Sequence, residues 1–282
     1  MKYYVLYNPQ AGHGEVSKKL AELETHLDGE IVEFSVAEDY RPLIASLSPD
    51  DVIVLSGGDG TLNNFINAID TEALENDVLY YASGSGNDFL NDLDKKYPCP
   101  PFKINKYLKN LPTVTVKGKS YRFINGIGYG VDGYCCQEGD KLKARGKAVN
   151  YTAIAIKGLI YAYKPRNATV TIDDKEYNFK KVWVAPTMFG RYFGGGMMAT
   201  PDQDRLGDGR VTFMTFEGSS ALTTLLIFPK IFKGEHVKHT KYIRIMKGTD
   251  ITVKFDKPCA LQIDGETILD VEEYSVHANL KK

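Results

Sequence analysis

The sequence predicts two domains of different class. Residues 1–112 read as a doubly wound, mostly parallel α/β domain, and residues 113–282 as an all-β antiparallel sandwich with inserted helices. Three observations carry this. Strand and helix patterns alternate through the first 110 residues, as βαβ units do when helices cover a parallel sheet. Near Lys109–Thr113 the texture changes to short alternating runs separated by turn residues. At 282 residues the chain also reaches the size, roughly 250–300 residues, at which single cores stop growing.

In the first domain, Tyr3–Tyr7 reads as a buried strand. Val16–Leu27 reads as an amphipathic helix, with Leu20, Leu23 and Leu27 on one face. Ile31–Phe34 is strand-like and Pro42–Leu47 a short helix. The run Asp51-Val52-Ile53-Val54-Leu55 marks a strand buried on both faces. Leu62–Ile69 is again helical, and Val78–Ala82 is another buried strand.

In the second domain, strands are expected at 113–116, 121–124, 169–172, 177–179, 182–185, 211–215, 242–245, 251–255 and 260–263. Lys117-Gly118, Asp173-Asp174, Asp208-Gly209 and Asp264-Gly265 supply the turns between many of them. Helices interrupt at Val149–Tyr163 and Ser219–Lys233, punctuated by Pro165 and Pro229.

Composition excludes a disordered or fibrous chain, being 43% hydrophobic and 25% charged. Four cysteines without paired spacing indicate thiols in a reducing compartment. The opening run reads as strand rather than signal segment, so a cytoplasmic location is expected. The longest apolar stretch, Ala221–Phe228, is far short of the ~20 residues a spanning helix needs. The net charge of −1 divides into −9 over residues 1–110 and +8 over 111–282. Such asymmetry suits either an anionic partner for the second half or mutual attraction of the halves.

The strongest motif is Ser56-Gly57-Gly58-Asp59-Gly60-Thr61, between a buried strand and a helix. Glycines there let backbone N–H groups approach an anion, and the helix N-terminus favours negative charge. Asp59 suits such a turn if a cation neutralises the phosphates or if the carboxylate bonds another polar group. Two more small-residue loops follow other parallel strands: Asn8-Pro9-Gln10-Ala11-Gly12-His13-Gly14 and Gly84-Ser85-Gly86-Asn87-Asp88-Phe89. Ligands of open α/β sheets bind beyond the carboxyl ends of strands, so the three loops predict one phosphate-binding cleft. No Walker A sequence occurs.

These loops, together with Phe123-Ile124-Asn125-Gly126-Ile127-Gly128 and Asp264-Gly265-Glu266, occur in an order that resembles the diacylglycerol kinase catalytic-domain family. Its bacterial members are soluble lipid kinases, and its N-terminal domain is NAD-kinase-like. The resemblance spans nearly the whole chain. It implies ATP and Mg²⁺ as cofactors and a diacylglycerol-like lipid as acceptor. ATP contacts are then expected from Asn8, Pro9, Gln10, Ala11, Gly12, Gly57, Gly58, Asp59, Gly60, Thr61, Leu62, Asn63, Asn64 and Ser85. Catalytic roles fall to Glu266, Asp264 and Asp59, with family usage placing the general base on Glu266. A structural metal would use Asp208 with the backbone oxygens of Arg205 and Arg210. The chain has Ser85-Gly86 where many relatives have two threonines. By itself, Ile263-Asp264-Gly265-Glu266-Thr267 also reads as a hairpin, and both readings can hold.

Lys141, Lys143, Arg145 and Lys147 form a basic run suited to anionic headgroups or simply to solvent. Leu222, Leu225, Leu226, Ile227, Phe228, Ile231 and Phe232 serve either as core or as a lipid-facing surface. The expected function is ATP-dependent phosphorylation of a diacylglycerol-like lipid by a protein in peripheral, transient contact with the membrane. No nucleic-acid partner is expected, and a homodimer is allowed. The alternatives are an NAD kinase or other soluble-alcohol kinase, and a non-catalytic nucleotide-binding protein. Asp59→Asn and Glu266→Gln are expected to remove activity with the melting temperature nearly intact.

Overall fold

Four parallel strands and a short antiparallel edge strand form the first sheet: β1 (Lys2–Tyr7), β2 (Glu30–Ser35), β3 (Val52–Gly57), β4 (Asp77–Ala82) and β5 (Phe102–Lys103). The order is β2-β1-β3-β4-β5, with only the β4–β5 pair antiparallel. This computed structural model describes residues 2–9, 16–84, 86–147 and 149–280, apart from the side chains of Thr152 and Tyr161. Two compact units result, Met1–Lys109 and Asn110–Lys282.

In the first unit the β-branched run of β3 is buried on both faces. Val52 and Val54 pack with Leu20 and Leu23 of α1 (Val16–Glu24), and alternation turns Ile53 and Leu55 to the opposite side. Helices α2 (Arg41–Ala45), α3 (Asp59–Ala68) and α4 (Asp88–Asp92) follow β2, β3 and β4. Strand order reverses at β1 and β3. Their carboxyl ends therefore open a crevice between helices that leave on opposite faces.

The second unit is built on a long hairpin, β16 (Asp250–Ile263) and β17 (Glu266–His277). The first half of β16 pairs with β9 (Arg166–Ile172), and its second half pairs with β8 (Gly126–Tyr129). Register shifts between Lys254 and Cys259 let one strand serve both neighbours. β10 (Lys175–Val182) flanks β9, while β6 (Thr113–Val116) and β7 (Lys119–Arg122) extend from β17. Beyond β8 come β11 (Thr187–Met188), β14 (Val211–Phe216) and β15 (Ile243–Gly248). β12 (Tyr192–Phe193) and β13 (Met197–Met198) pair only with each other. The helices are α5 (Val131–Lys143), α6 (Tyr151–Lys157), continued by a π turn over 158–162, and α7 (Ala221–Ile227), continued by a 3₁₀ turn over 228–233.

Several expectations shift. The run 182–185 is not a separate strand; beyond Val182, Val184 makes only isolated bridges to Gly130 and Phe216. The runs 251–255 and 260–263 are one strand. Lys117-Gly118, Asp173-Asp174 and Asp264-Gly265 each carry two positive φ values and close two-residue hairpins. Asp208-Gly209 does not; it lies in the loop entering β14.

Candidate functional site

The first unit brings the second and third loops into direct backbone contact. A Cβ on Gly84 would lie 2.5 Å from the Gly58 Cα, and one on Gly58 would lie 2.7 Å from the Gly86 carbonyl oxygen. These glycines are required by each other's proximity. Hydrogen bonds hold the contact: Ser83 N–H donates to the Gly57 carbonyl at 2.9 Å, and Asp59 N–H to that of Gly86 at 3.1 Å. The Asp59 carboxylate, 8% exposed, accepts from Asp88 N–H (2.8 Å) and Phe89 N–H (3.0 Å), so it caps α4 from the start of α3. Of the two uses open to Asp59, bonding another polar group is the one the structure displays.

Asp59→Asn is therefore not expected to leave stability untouched. One amide oxygen cannot serve both donors, and the loss should be about 1–2 kcal/mol, read from urea midpoints. An unchanged midpoint would show that the brace carries no free energy.

Around this brace, Thr61 folds back on Gly57, Leu62 and Asn63 are buried, and Asn64 accepts from the Tyr40 hydroxyl at 2.6 Å. Leu62 and Asn64 thus serve packing and a neighbouring tyrosine. Gly58 and the exposed Gly60 remain at the N-terminus of α3, where backbone N–H groups and the helix dipole favour an anion. Asn8 and Pro9 follow β1 at the same edge. Gln10, Ala11, Gly12 and Ser85 lie outside the described residues. A small pocket at this edge is lined by Tyr7, Asn8, Val16, Lys19, Ser56 and Ser83. The Lys19 ammonium donates to the Ser83 carbonyl. Sequence reasoning missed Lys19; its signal is a lysine in the first helix after β1.

In the second unit the Asp264-Gly265 loop joins β16 to β17, with φ of 47° and 98°. Three consecutive N–H groups grip the buried Asp264 carboxylate: Ile124 at 2.7 Å, Asn125 at 2.8 Å and Gly126 at 2.9 Å. The Arg205 guanidinium, 4% exposed, donates to the Ile124 carbonyl and to Asn125 Oδ1. Gly265 N–H donates to Gln262 Oε1 at 2.6 Å, and Gln262 Nε2 donates to Asp132 at 2.9 Å. The Thr267 hydroxyl donates to Asp140 at 2.7 Å. Residues on either side of Glu266 are thus tied down. Glu266 itself is exposed, and its carboxylate makes no hydrogen bond or ion pair among the described residues.

Asp132 sits at the start of α5 against Gly128, where a Cβ would meet its carboxylate at 1.6 Å. Burial raises its carboxyl to about 6, opposed by the Gln262 hydrogen bond. Between the ordinary value of 3.8 and about 6 the folded chain holds a proton that the unfolded chain has lost. This contribution to stability is complete below 3.8 and lost as pH rises through about 6. Asp132→Asn should flatten that slope, shrinking the difference in unfolding free energy between acid and neutral pH by about 1–3 kcal/mol. Urea midpoints across the range would read it, and an unaltered slope would assign the titration elsewhere.

The diacylglycerol kinase catalytic domain model matches residues 2–117, and the model of the YegS C-terminal NAD kinase beta sandwich-like domain matches residues 125–275, more than half of the chain. The chain belongs to the bacterial diacylglycerol kinase and lipid kinase family. A Mycobacterium tuberculosis protein named diacylglycerol kinase is 24% identical over 253 residues, covering 84% of this chain and 80% of that one. Among solved structures, a Bacillus anthracis diacylglycerol kinase superposes with a TM-score of 0.67 at 18% identity, covering 99% of this chain and 94% of the other. Yeast NADH kinase complexed with NADH gives 0.51 at 13% identity, covering 100% and 79%. Both structures share the fold of this chain.

The metal expected in this family member at Asp208 finds a poor fit. Arg210 Nε donates to the Asp208 carboxylate at 2.8 Å, and Lys247 lies 3.3 Å away. The Arg210 guanidinium holds the Asp208 carboxyl down at about 2. A divalent cation would have to displace two cations already in place. The Arg210 carbonyl already accepts from Gln203 at 2.9 Å, and Arg205 works through its side chain. Among the described residues, no group of three or more His, Cys, Asp or Glu side chains is placed to hold a metal.

Proposed function

We infer that the chain is an ATP-dependent lipid kinase that transfers the γ-phosphate to the hydroxyl of a diacylglycerol-like acceptor. The observation that carries this is the braced glycine turn at the switch point of a mostly parallel sheet, in a chain of the lipid kinase family. Phosphoryl transfer to an alcohol asks for fixed phosphates and a carboxylate at the attacking hydroxyl, with little other covalent work.

In this reading Gly57, Gly58, Gly60 and Thr61 present the N-terminus of α3 to the phosphates, and Asn8 and Lys19 flank them from β1 and α1. Asp59 is a positioning residue: it fixes the turn through α4. Asp264 is likewise a positioning residue, since three N–H groups hold its carboxylate. Glu266 takes the hydroxyl proton, because it alone in Asp264-Gly265-Glu266 has an exposed carboxylate. ATP supplies the transferable phosphoryl group when bound, with magnesium as its counter-ion; Asp208 is given no part.

Competition between acceptors tests the reading. Labelled ATP is offered with total lipid extract and NAD together. Label in the organic phase is expected, whereas label on NAD would make the chain a soluble-alcohol kinase.

A further inference from the structure

Helix α6 with its π turn and α7 with its 3₁₀ turn pack side by side in the second unit. Leu159, Ile227 and Ile231 share one core cluster, and Phe228 packs against Ile154 and Ala155. Ala221 and Leu225 are partly buried against the same cluster, but several other large apolar residues face solvent. Leu222 and Leu226 are 68% and 69% exposed, with Ile156, Ile160 and Phe232 between 44% and 52%. Among the described residues, six of the eleven large apolar or aromatic side chains left exposed fall on these two segments, Tyr151 being the sixth. That is a concentration, unlike the scattered single residues normal on soluble surfaces. Leu222 and Leu226 stand one turn apart on a helix, as do Ile156 and Ile160, so each pair forms a ridge.

Charge identifies what covers them. Residues 151–164 and 220–234 carry Lys157, Lys164, Lys230 and Lys233 and no acidic residue. A second copy of this face would set lysines against lysines. An anionic lipid surface satisfies both features, with hydrocarbon for the ridges and headgroup charge for the lysines. No helix among the described residues is long and apolar enough to cross a membrane, so the contact is one of surface seating.

We propose that this face docks on the surface of an anionic bilayer, with Leu222, Leu226, Ile156, Ile160 and Phe232 entering the acyl boundary. The proposal deepens the lipid-kinase reading and rests on it for its purpose: the acceptor of such an enzyme resides in the membrane. The first half of the basic run, at the end of α5, contributes less than its sequence suggests, because Lys141 pairs with Glu138 at 2.6 Å and Lys143 with Asp140 at 3.5 Å.

The test is flotation of the full chain with phosphatidylcholine vesicles, with and without phosphatidylglycerol, at low and high salt. Binding should need the anionic lipid and weaken with salt. The double variant Leu222→Glu/Leu226→Glu should lower the partition coefficient by about 100-fold or more. Its melting temperature should be unchanged, since both side chains are largely exposed. Transfer to a short-chain diacylglycerol dispersed in detergent, measured in parallel, should be equal in wild type and variant. Absence of wild-type binding to anionic vesicles, or variant binding equal to wild type, would overturn the docking face even with transfer intact. A concentration-dependent dimer abolished by the double variant, without vesicle binding, would overturn it in favour of self-association. Flotation as expected, with no transfer to any lipid, would sink the kinase reading and leave the docking face standing.

Discussion

Glu266→Gln is expected to lower phosphoryl transfer by about 10²–10⁴-fold, the range associated with loss of a positioned general base. Stability should move by no more than about 0.5 kcal/mol, as for surface substitutions away from special features. Both halves of this expectation come from one contrast. Asp264, Gly265 and Thr267 are each committed to protein partners, while the Glu266 carboxylate is exposed at the start of β17. Glutamine keeps the shape and polarity of the side chain and removes only its ability to take a proton. Steady-state transfer rates, with ATP affinity measured separately, would check it. Full turnover by the variant would place the base elsewhere.

Asp264→Asn should have the opposite profile, with a loss of stability of about 2–4 kcal/mol. One carboxylate oxygen accepts from Asn125 and Gly126 and the other from Ile124, so whichever way an amide is turned, its NH₂ group faces a backbone donor. The group is buried, so water cannot repair the mismatch. A lower urea midpoint with an unchanged slope would confirm the structural role. Transfer should fall as well, because the hairpin tip that aims Glu266 is set by this grip. An unchanged midpoint with abolished transfer would instead make Asp264 the proton acceptor.

Much of the fold was legible because its signals are local. The run Val52–Leu55 has no polar break and can only be a strand covered on both faces, and Lys117-Gly118, Asp173-Asp174 and Asp264-Gly265 carry the turn chemistry their hairpins require. Elements without such signals escaped. Helix α5 has no apolar stripe because it lies so near β16 that a Cβ on Gly133 would sit 1.9 Å from the Ala260 carbonyl oxygen. Glycine and cysteine replace the leucines a periodicity search needs. Strand β17 was missed because Glu266, Asp270, Glu272 and Glu273 break up its buried positions Val271, Tyr274 and Val276. Within the site, the motifs marked the right turns but not the division of labour. Gly58 and Gly84 are explained by each other's backbone, and Asp59 by the N–H groups of α4. Those partners lie some 25 to 30 residues away in sequence, where no local pattern reaches. The apolar segment 222–232 was left open between core and lipid-facing use, and the structure divides it between core and exposed surface. Ile227 and Ile231 are buried, while Leu222, Leu226 and Phe232 are exposed.

In the proposed reaction a phosphoryl group passes from ATP to a lipid hydroxyl whose proton Glu266 takes. The most direct measurement is the transfer of ³²P from γ-labelled ATP to diacylglycerol in detergent micelles by the purified protein. The expected product is a labelled phospholipid in the organic phase that Glu266→Gln fails to make while still binding ATP. Label confined to the aqueous phase for the wild type, with ATP bound, would contradict it.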